Sequence, residues 1–232
     1  YARVSRGPWR LKAFIDREGR PVASRFLTVR PNACSLEVLW ALLNSPVANA
    51  YAFAHLGKRD NIPGDMRKIP VPHGTAFEDI EKAARDYLHA AAARAQVNEL
   101  YQLMLRVDAA VLRQYALPAG LEHRVLSLFT GWERVGVPFK QVRYFPPEIS
   151  HPIRFADFLV YEADWPSRNR RRGHLVDKEI AGTITSDEAR ELTGLQAYAD
   201  YYIEKTSPRP TRILKELEDR VFGTAAAGKK GA

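Results

Sequence analysis

The residues of this chain best suited to chemistry are cations, and they fall in short groups. Lys12, Arg17, Arg20 and Arg25 interleave with apolar residues near the start. Lys58, Arg59 and Asn61 share one loop-like stretch, KRDNIPG, and Arg67 and Lys68 follow it. Arg170, Arg171 and Arg172 end the densest basic run, RNRRR. Guanidinium and ammonium groups hold phosphate oxygens or reach guanine edges, and Asn can pair with adenine through two hydrogen bonds. Such runs are also ordinary solvated faces, so the reading depends on a scaffold that gathers them.

Charge distribution supports a scaffold of that kind. The chain of 232 residues carries a formal charge of +8. Residues 1–72 hold 12 Lys+Arg against 5 Asp+Glu, residues 73–133 hold 6 against 8, and residues 134–232 hold 17 against 14. The excess sits mainly at the front, where a phosphate-contacting surface would need it. No apolar run approaches the length of a membrane span, which argues against an integral membrane protein. A single cysteine, Cys34, excludes an intrachain disulfide and fits a reducing cytoplasm; beside an apolar helix start it reads as a small buried hydrophobe. The opening YARVSRGPWR has no secretory h-region, and its first residue, Tyr1, leads us to expect a fragment of a longer polypeptide or a missing leader.

The elements that would position the cations follow from periodicity and punctuation. Trp9–Ile15 and Val22–Val29 read as strands around an Asp16-Arg17-Glu18-Gly19 turn, a β-hairpin. Asn32 or Ser35 caps a helix carrying Leu36, Leu39, Trp40, Leu42 and Leu43. Pro46 disfavours helical geometry at Ser45, so that helix stops, and Ser45 caps a second one with Pro46 at its first position. Gly57 ends the second helix, and Met66–Val71 is predicted as a short edge strand limited by Pro70 and Pro72. From Phe77 to about Leu117 the pattern is helical through an Ala-rich centre, followed by a short helix over Glu122–Phe129.

Residues 134–166 are rich in Pro and aromatics, with short strands predicted at Phe139–Tyr144 and Phe158–Tyr161. The basic run precedes a helix through Leu175–Ile180, and Thr185 with Glu188 forms a capping box for another. Ile213–Phe222 reads as a last amphipathic segment. The expected class is α+β: a small mixed β-sheet and hairpin region with helices, then a mostly helical C-terminal part. Its divisions are an α+β region over 1–72, a helical spacer over 73–133, a Pro/aromatic strap with basic helices over 134–222, and a disordered tail over 223–232.

Three stretches carry a family resemblance. LLNSPVANAYAF (42–53) resembles the recurring Leu-Leu-Asn-Ser-Pro helix break of the TaqI-like specificity domains of bacterial adenine-N6 DNA methyltransferases and of Type I restriction-modification specificity subunits. RKIPVP (67–72) resembles their closing strand, and VDAAVLRQYALP (107–118) resembles a segment often found after such domains. The resemblance covers about half the chain. It implies a target recognition domain for double-stranded DNA, bacterial and cytoplasmic. The catalytic methyltransferase domain would lie elsewhere, in cis or in trans, and S-adenosylmethionine would be bound there. Base-contacting residues of that family vary with the target, so Lys12, Arg17, Arg20, Arg25, Lys58, Arg59, Asn61, Arg67, Lys68 and Arg170–Arg172 rest on chemistry and placement.

No catalytic set is expected in this chain. Adenine-N6 methylation needs Asn/Asp-Pro-Pro-Tyr/Phe, and the nearest text, Tyr144-Phe145-Pro146-Pro147-Glu148, lacks both the polar residue and the following aromatic. No Gly-rich loop after a strand offers a nucleotide site, and no cofactor is expected here. The six histidines show no metal-ligand spacing with Cys34. Asp177-Lys178-Glu179, and Asp200 with Glu204-Lys205, contain the residue types of a nuclease but fall in expected helices. The alternative function is a protein-interaction or assembly module whose basic charge is incidental.

Overall fold

Ser35 and Ser45 shape the front of the molecule. In the computed structural model, which describes residues 7–21, 26–56, 63–74 and 76–207 together with Leu214 and Leu217, Ser35 caps α1 (Leu36–Asn44). Its hydroxyl accepts from the Val38 N–H at 3.3 Å. Ser45 ends α1 and begins α2 (Pro46–His55): its hydroxyl donates to the Leu42 carbonyl at 2.7 Å and accepts from the Ala48 N–H at 3.2 Å. One residue thus serves an orphan carbonyl of one helix and an orphan amide of the next, with Pro46 where a missing N–H costs nothing. Cys34 is half-buried against the core, and burial pushes its thiol above its ordinary range.

The expected α+β class is overturned. Among the described residues there are nine helices and no strand. Trp9–Ile15 forms no ladder, Val22–Arg25 lie outside the described residues, and Phe26–Val29 are exposed without regular structure. The turn between them does form: the Asp16 carboxylate accepts from the Glu18 N–H at 3.1 Å and the Arg20 N–H at 2.7 Å, and Gly19 takes φ +66°. In place of the Met66–Val71 strand, α3 (Pro63–Met66) is followed by a turn closed by the Ile69 N–H on the Met66 carbonyl at 3.3 Å. Pro63 starts that helical turn and Pro70 and Pro72 forbid a ladder after it. Phe139–Tyr144 is also no strand. Its only pairing in the described residues is two bonds, Gly131 N–H to the Val142 carbonyl at 2.8 Å and Arg134 N–H to the Gln141 carbonyl at 3.0 Å. Phe158–Tyr161 is helical, inside α7 (Phe155–Ala163).

The long helical pattern is a hairpin of α4 (Glu78–Ala92) and α5 (Val97–Tyr115). Arg94 adopts φ +56° after α4. The Ala95 N–H reaches the Ala90 carbonyl at 2.9 Å and the Arg94 N–H reaches the Ala91 carbonyl at 3.1 Å, the pair of bonds that closes a helix through a left-handed residue. A left-handed non-Gly residue costs roughly 1–2 kcal/mol. Folding back offsets it, because Ile80, Ala84 and Tyr87 of α4 then bury against Leu100, Met104, Val107 and Val111 of α5. Val38, Trp40 and Ala41 of α1 complete this core, with Trp40 stacked on Tyr87 at 5.5 Å. The short α6 (Ala119–Ser127) follows.

The chain divides into two compact units, residues 1–145 with 154–159, and residues 146–153 with 160–232. In the second, α8 (Trp165–Ile180) and α9 (Ser186–Thr206) pack together. The capping box is present, with the Glu188 N–H on the Thr185 hydroxyl at 3.3 Å and the Thr185 N–H on Glu188 at 3.1 Å. Trp165 lies 4.8 Å from Tyr198 in an aromatic core with Tyr161 and Tyr201. Among the described residues no helix is long and apolar enough to cross a membrane.

A candidate nucleic-acid interface on a docked arm

Residues 7–15 form an arm across the first unit, and side chains hold its backbone in place of a neighbouring strand. The Leu11 N–H donates to Asn49 Oδ1 at 2.7 Å, while Asn49 Nδ2 donates to the Ser45 carbonyl at 3.0 Å. The Ala13 N–H donates to Asn44 Oδ1 at 3.0 Å, and Asn44 Nδ2 donates back to the Ala13 carbonyl at 3.1 Å and to the Trp40 carbonyl at 2.9 Å. A carboxamide presents one donor edge and one acceptor edge, which is what a strand would present. The alternation expected of a strand therefore survives without one. Trp9 and Leu11 are buried and Ala13 and Ile15 pack on the core, while Lys12 and Phe14 are exposed.

Beneath the arm lies a buried ionic network. The Arg134 guanidinium makes a two-pronged pair with Asp108, with Nη2 at 3.2 Å from Oδ1, and also donates to the Asn44 carbonyl at 2.9 Å and to Gln141 Oε1 at 3.2 Å. The Tyr144 hydroxyl donates to Asp108 Oδ2 at 2.8 Å. Burial, and then the neighbouring carboxylate, push that hydroxyl well above its ordinary range, so it remains a donor. The Trp9 ring lies 4.5 Å from the Arg134 guanidinium and 4.2 Å from the Phe129 ring. The Trp132 ring covers Gly7 so closely that a Cβ there would collide with it.

The cations are mounted on this frame from two directions. Leu11 buries in a small cluster with Ala48, Ala52 and Leu56 of the α2 region, and Met66 and Ile69 pack against the same cluster. Lys12 follows Leu11 and is exposed; Arg67 and Lys68 fall between Met66 and Ile69 and are exposed. The Tyr115 hydroxyl, pushed up to about 12 by burial, donates to the Pro70 carbonyl at 2.7 Å and ties that segment to α5. Arg17 lies in the turn at the end of the arm and Arg20 follows it, Arg17 on Glu37 at 2.5 Å and Arg20 on Glu18 at 2.6 Å. Burial raises the Glu37 carboxyl, but hydrogen bonds from its own N–H and from Arg17 overcome that and leave it below its ordinary range. Both arginines stay largely exposed, with side chains 61% and 70% accessible. Arg25, Lys58, Arg59 and Asn61 lie outside the described residues.

Arg170–Arg172 fall inside α8, in the second unit. Arg171 grips Glu191 with two bonds, at 3.2 and 2.9 Å, and Arg172 bonds Asn169 at 2.9 Å and Gln196 at 3.1 Å. These two side chains stitch α8 to α9, and Arg170 rests on Ser167 at 3.1 Å. The lysines of the nuclease-like groups are likewise engaged, Lys178 with Glu188 at 2.6 Å and Lys205 with Glu162 at 3.1 Å. Among the described residues no group of three or more His, Cys, Asp or Glu is placed to hold a metal ion.

Reading for cations missed Asn44, Asn49, Asp108, Arg134 and Tyr144, which position the arm. Asp108 left a signal: an acid amid Leu105, Val107, Ala109, Val111 and Leu112 on α5 must be buried, and a buried acid needs a partner. Comparison with protein-family models, with curated proteins and with solved structures finds no match.

Proposed function

We propose that this chain is a double-stranded DNA recognition module of a restriction-modification or adenine-methylating protein, and that it directs a catalytic domain outside this chain. The observation that carries the reading is the shared cluster under Leu11, Met66 and Ile69, which mounts Lys12 and the Arg67–Lys68 pair on one support. Lys58, Arg59 and Asn61, outside the described residues, fall in sequence between Leu56 of that cluster and Met66. The Leu-Leu-Asn-Ser-Pro resemblance and the positive excess of residues 1–72 support the same reading. S-adenosylmethionine belongs, on this reading, to the partner domain.

A salt titration of duplex binding by the full chain tests it. The logarithm of affinity falls linearly with the logarithm of salt concentration, and Lys12→Gln or Arg67→Gln each reduces the slope by about one. Absence of duplex binding at low salt, or slopes unmoved by both changes, overturns the reading.

A second reading, an assembly module, is favoured by the second unit. There Arg171 and Arg172 serve helix packing, while Ile180 is 80% and Ile203 51% exposed. Light scattering that shows a stable oligomer, broken by Ile180→Glu with Ile203→Glu, supports this reading; a monomer at all concentrations removes it.

A further inference from the structure

Phe14 is the most exposed aromatic residue among the described residues, at 75%, and it lies on the arm. Its neighbour Ala13 has both its N–H and its carbonyl bonded to Asn44. Ala13 and Ile15 turn to the core on either side, so the ring is carried away from it, on the side of Lys12. Lys12, Arg17 and Arg20, all exposed, surround it in sequence, and the pairs of Arg17 with Glu37 and Arg20 with Glu18 leave both arginines open to exchange with phosphate. A ring so placed adds little to the core. Its backbone is already ordered, so contact with a partner costs little further entropy.

We propose that Phe14 is an apolar wedge that inserts against a base step of duplex DNA while the cations around it hold the flanking phosphates. The inference rests on the DNA reading above and extends it from electrostatic docking to distortion of the duplex. The occupant follows from the chemistry of the surroundings. An aromatic face offers a base a stacking surface without regard to sequence, and inserted Phe side chains partly unstack and kink DNA. Residues 7–20 hold four Lys+Arg against two Asp+Glu, and this excess favours a polyanion over an apolar protein surface in the same position.

The test uses the full chain and two short duplexes of mixed sequence, one intact and one with a central mismatch that lowers the cost of unstacking. The wild-type chain is expected to prefer the mismatched duplex by about ten-fold, and Phe14→Ala to lose that preference. Phe14→Trp retains the preference, and the salt slope is the same in all three chains because no phosphate contact is removed. Wild-type binding with the same preference in Phe14→Ala overturns the wedge and leaves the DNA reading standing. Absence of binding to either duplex by the wild-type chain overturns both. Because Phe14 is outside the core, circular dichroism of Phe14→Ala is expected to match the wild type.

Discussion

The side-chain amide of Asn44 brackets the backbone of Ala13, accepting from its N–H at 3.0 Å and donating to its carbonyl at 3.1 Å. A residue 31 positions away thereby supplies both halves of a ladder rung. The same Asn44 offers its own carbonyl to Arg134, so one residue joins the arm, the end of α1 and the ionic network.

Replacing Asn44 by Ala strands these backbone groups. We expect a loss of about 1–3 kcal/mol, with the damage local to the arm. Hydrogen exchange at Leu11 and Ala13 will speed up while the α4–α5 amides change little. Uniform loss of protection across the first unit would show that the arm is no separate cooperative element.

Arg134 and Asp108 are buried to 5% and 1% exposure. Removing one partner leaves a charge without compensation, and Arg134→Met or Asp108→Leu should each cost about 3–5 kcal/mol. The double variant should recover part of the sum, because neither charge remains. Urea denaturation of the four chains measures the coupling; strict additivity would contradict the pairing.

Glu122 is 2% exposed and accepts from the Phe155 N–H at 2.6 Å. Burial outweighs this bond and raises its carboxyl above the ordinary 4.5. A raised folded value means that the protonated form is favoured on folding. The group's stabilising share is therefore full below the unfolded value and is lost as pH rises through the folded one. Glu122→Gln should remove that part of the pH dependence, seen as a thermal midpoint that falls less than the wild type's as pH climbs from about 4.5. Parallel curves would exclude Glu122 as the source.

Glu188 behaves in the opposite sense. Hydrogen bonds from Lys178 and then from the Thr185 backbone lower it to about 2. Its contribution is present above the unfolded value of 4.5 and is lost as pH falls toward about 2. Glu188→Gln should lower the thermal midpoint at neutral pH and narrow its gap to the wild type in acid. A gap that stays constant with pH would exclude the ion pair as the cause.

The legible parts of the fold are those governed by local rules. Ser45-Pro46 announces a helix end and a helix start because capping and the proline restriction act within a few residues. The alternation over Trp9–Ile15 is legible as well, but period two reports only that alternate side chains are buried. It does not distinguish a strand edge from the amides of Asn44 and Asn49 as partner. The break at Arg94 was hidden because an arginine occupies a left-handed position that usually advertises itself by glycine. The role of Arg171 was hidden for another reason: its carboxylate partner, Glu191, lies 20 positions away on another helix. Charge patterns alone cannot separate such a stitch from a phosphate grip. That the chain neighbours of Lys12, Arg67 and Lys68 share one apolar cluster became visible only through Leu11, Met66 and Ile69, whose shared burial is a property of the folded chain.

Translation runs from the arm toward its partners, and the order has a cost. Leu11 must wait for Asn49, 38 residues later, and Trp9 must wait for Phe129 and Arg134. Until those residues have left the ribosome, an indole and a leucine stay uncovered beside a string of cations. Closure of the network at Arg134 is then a late event, spanning 90 residues between Asn44 and Arg134. The nascent protein thus passes through a stage in which α1 and α2 can be complete while the arm is still loose and open to chaperones or to misassociation.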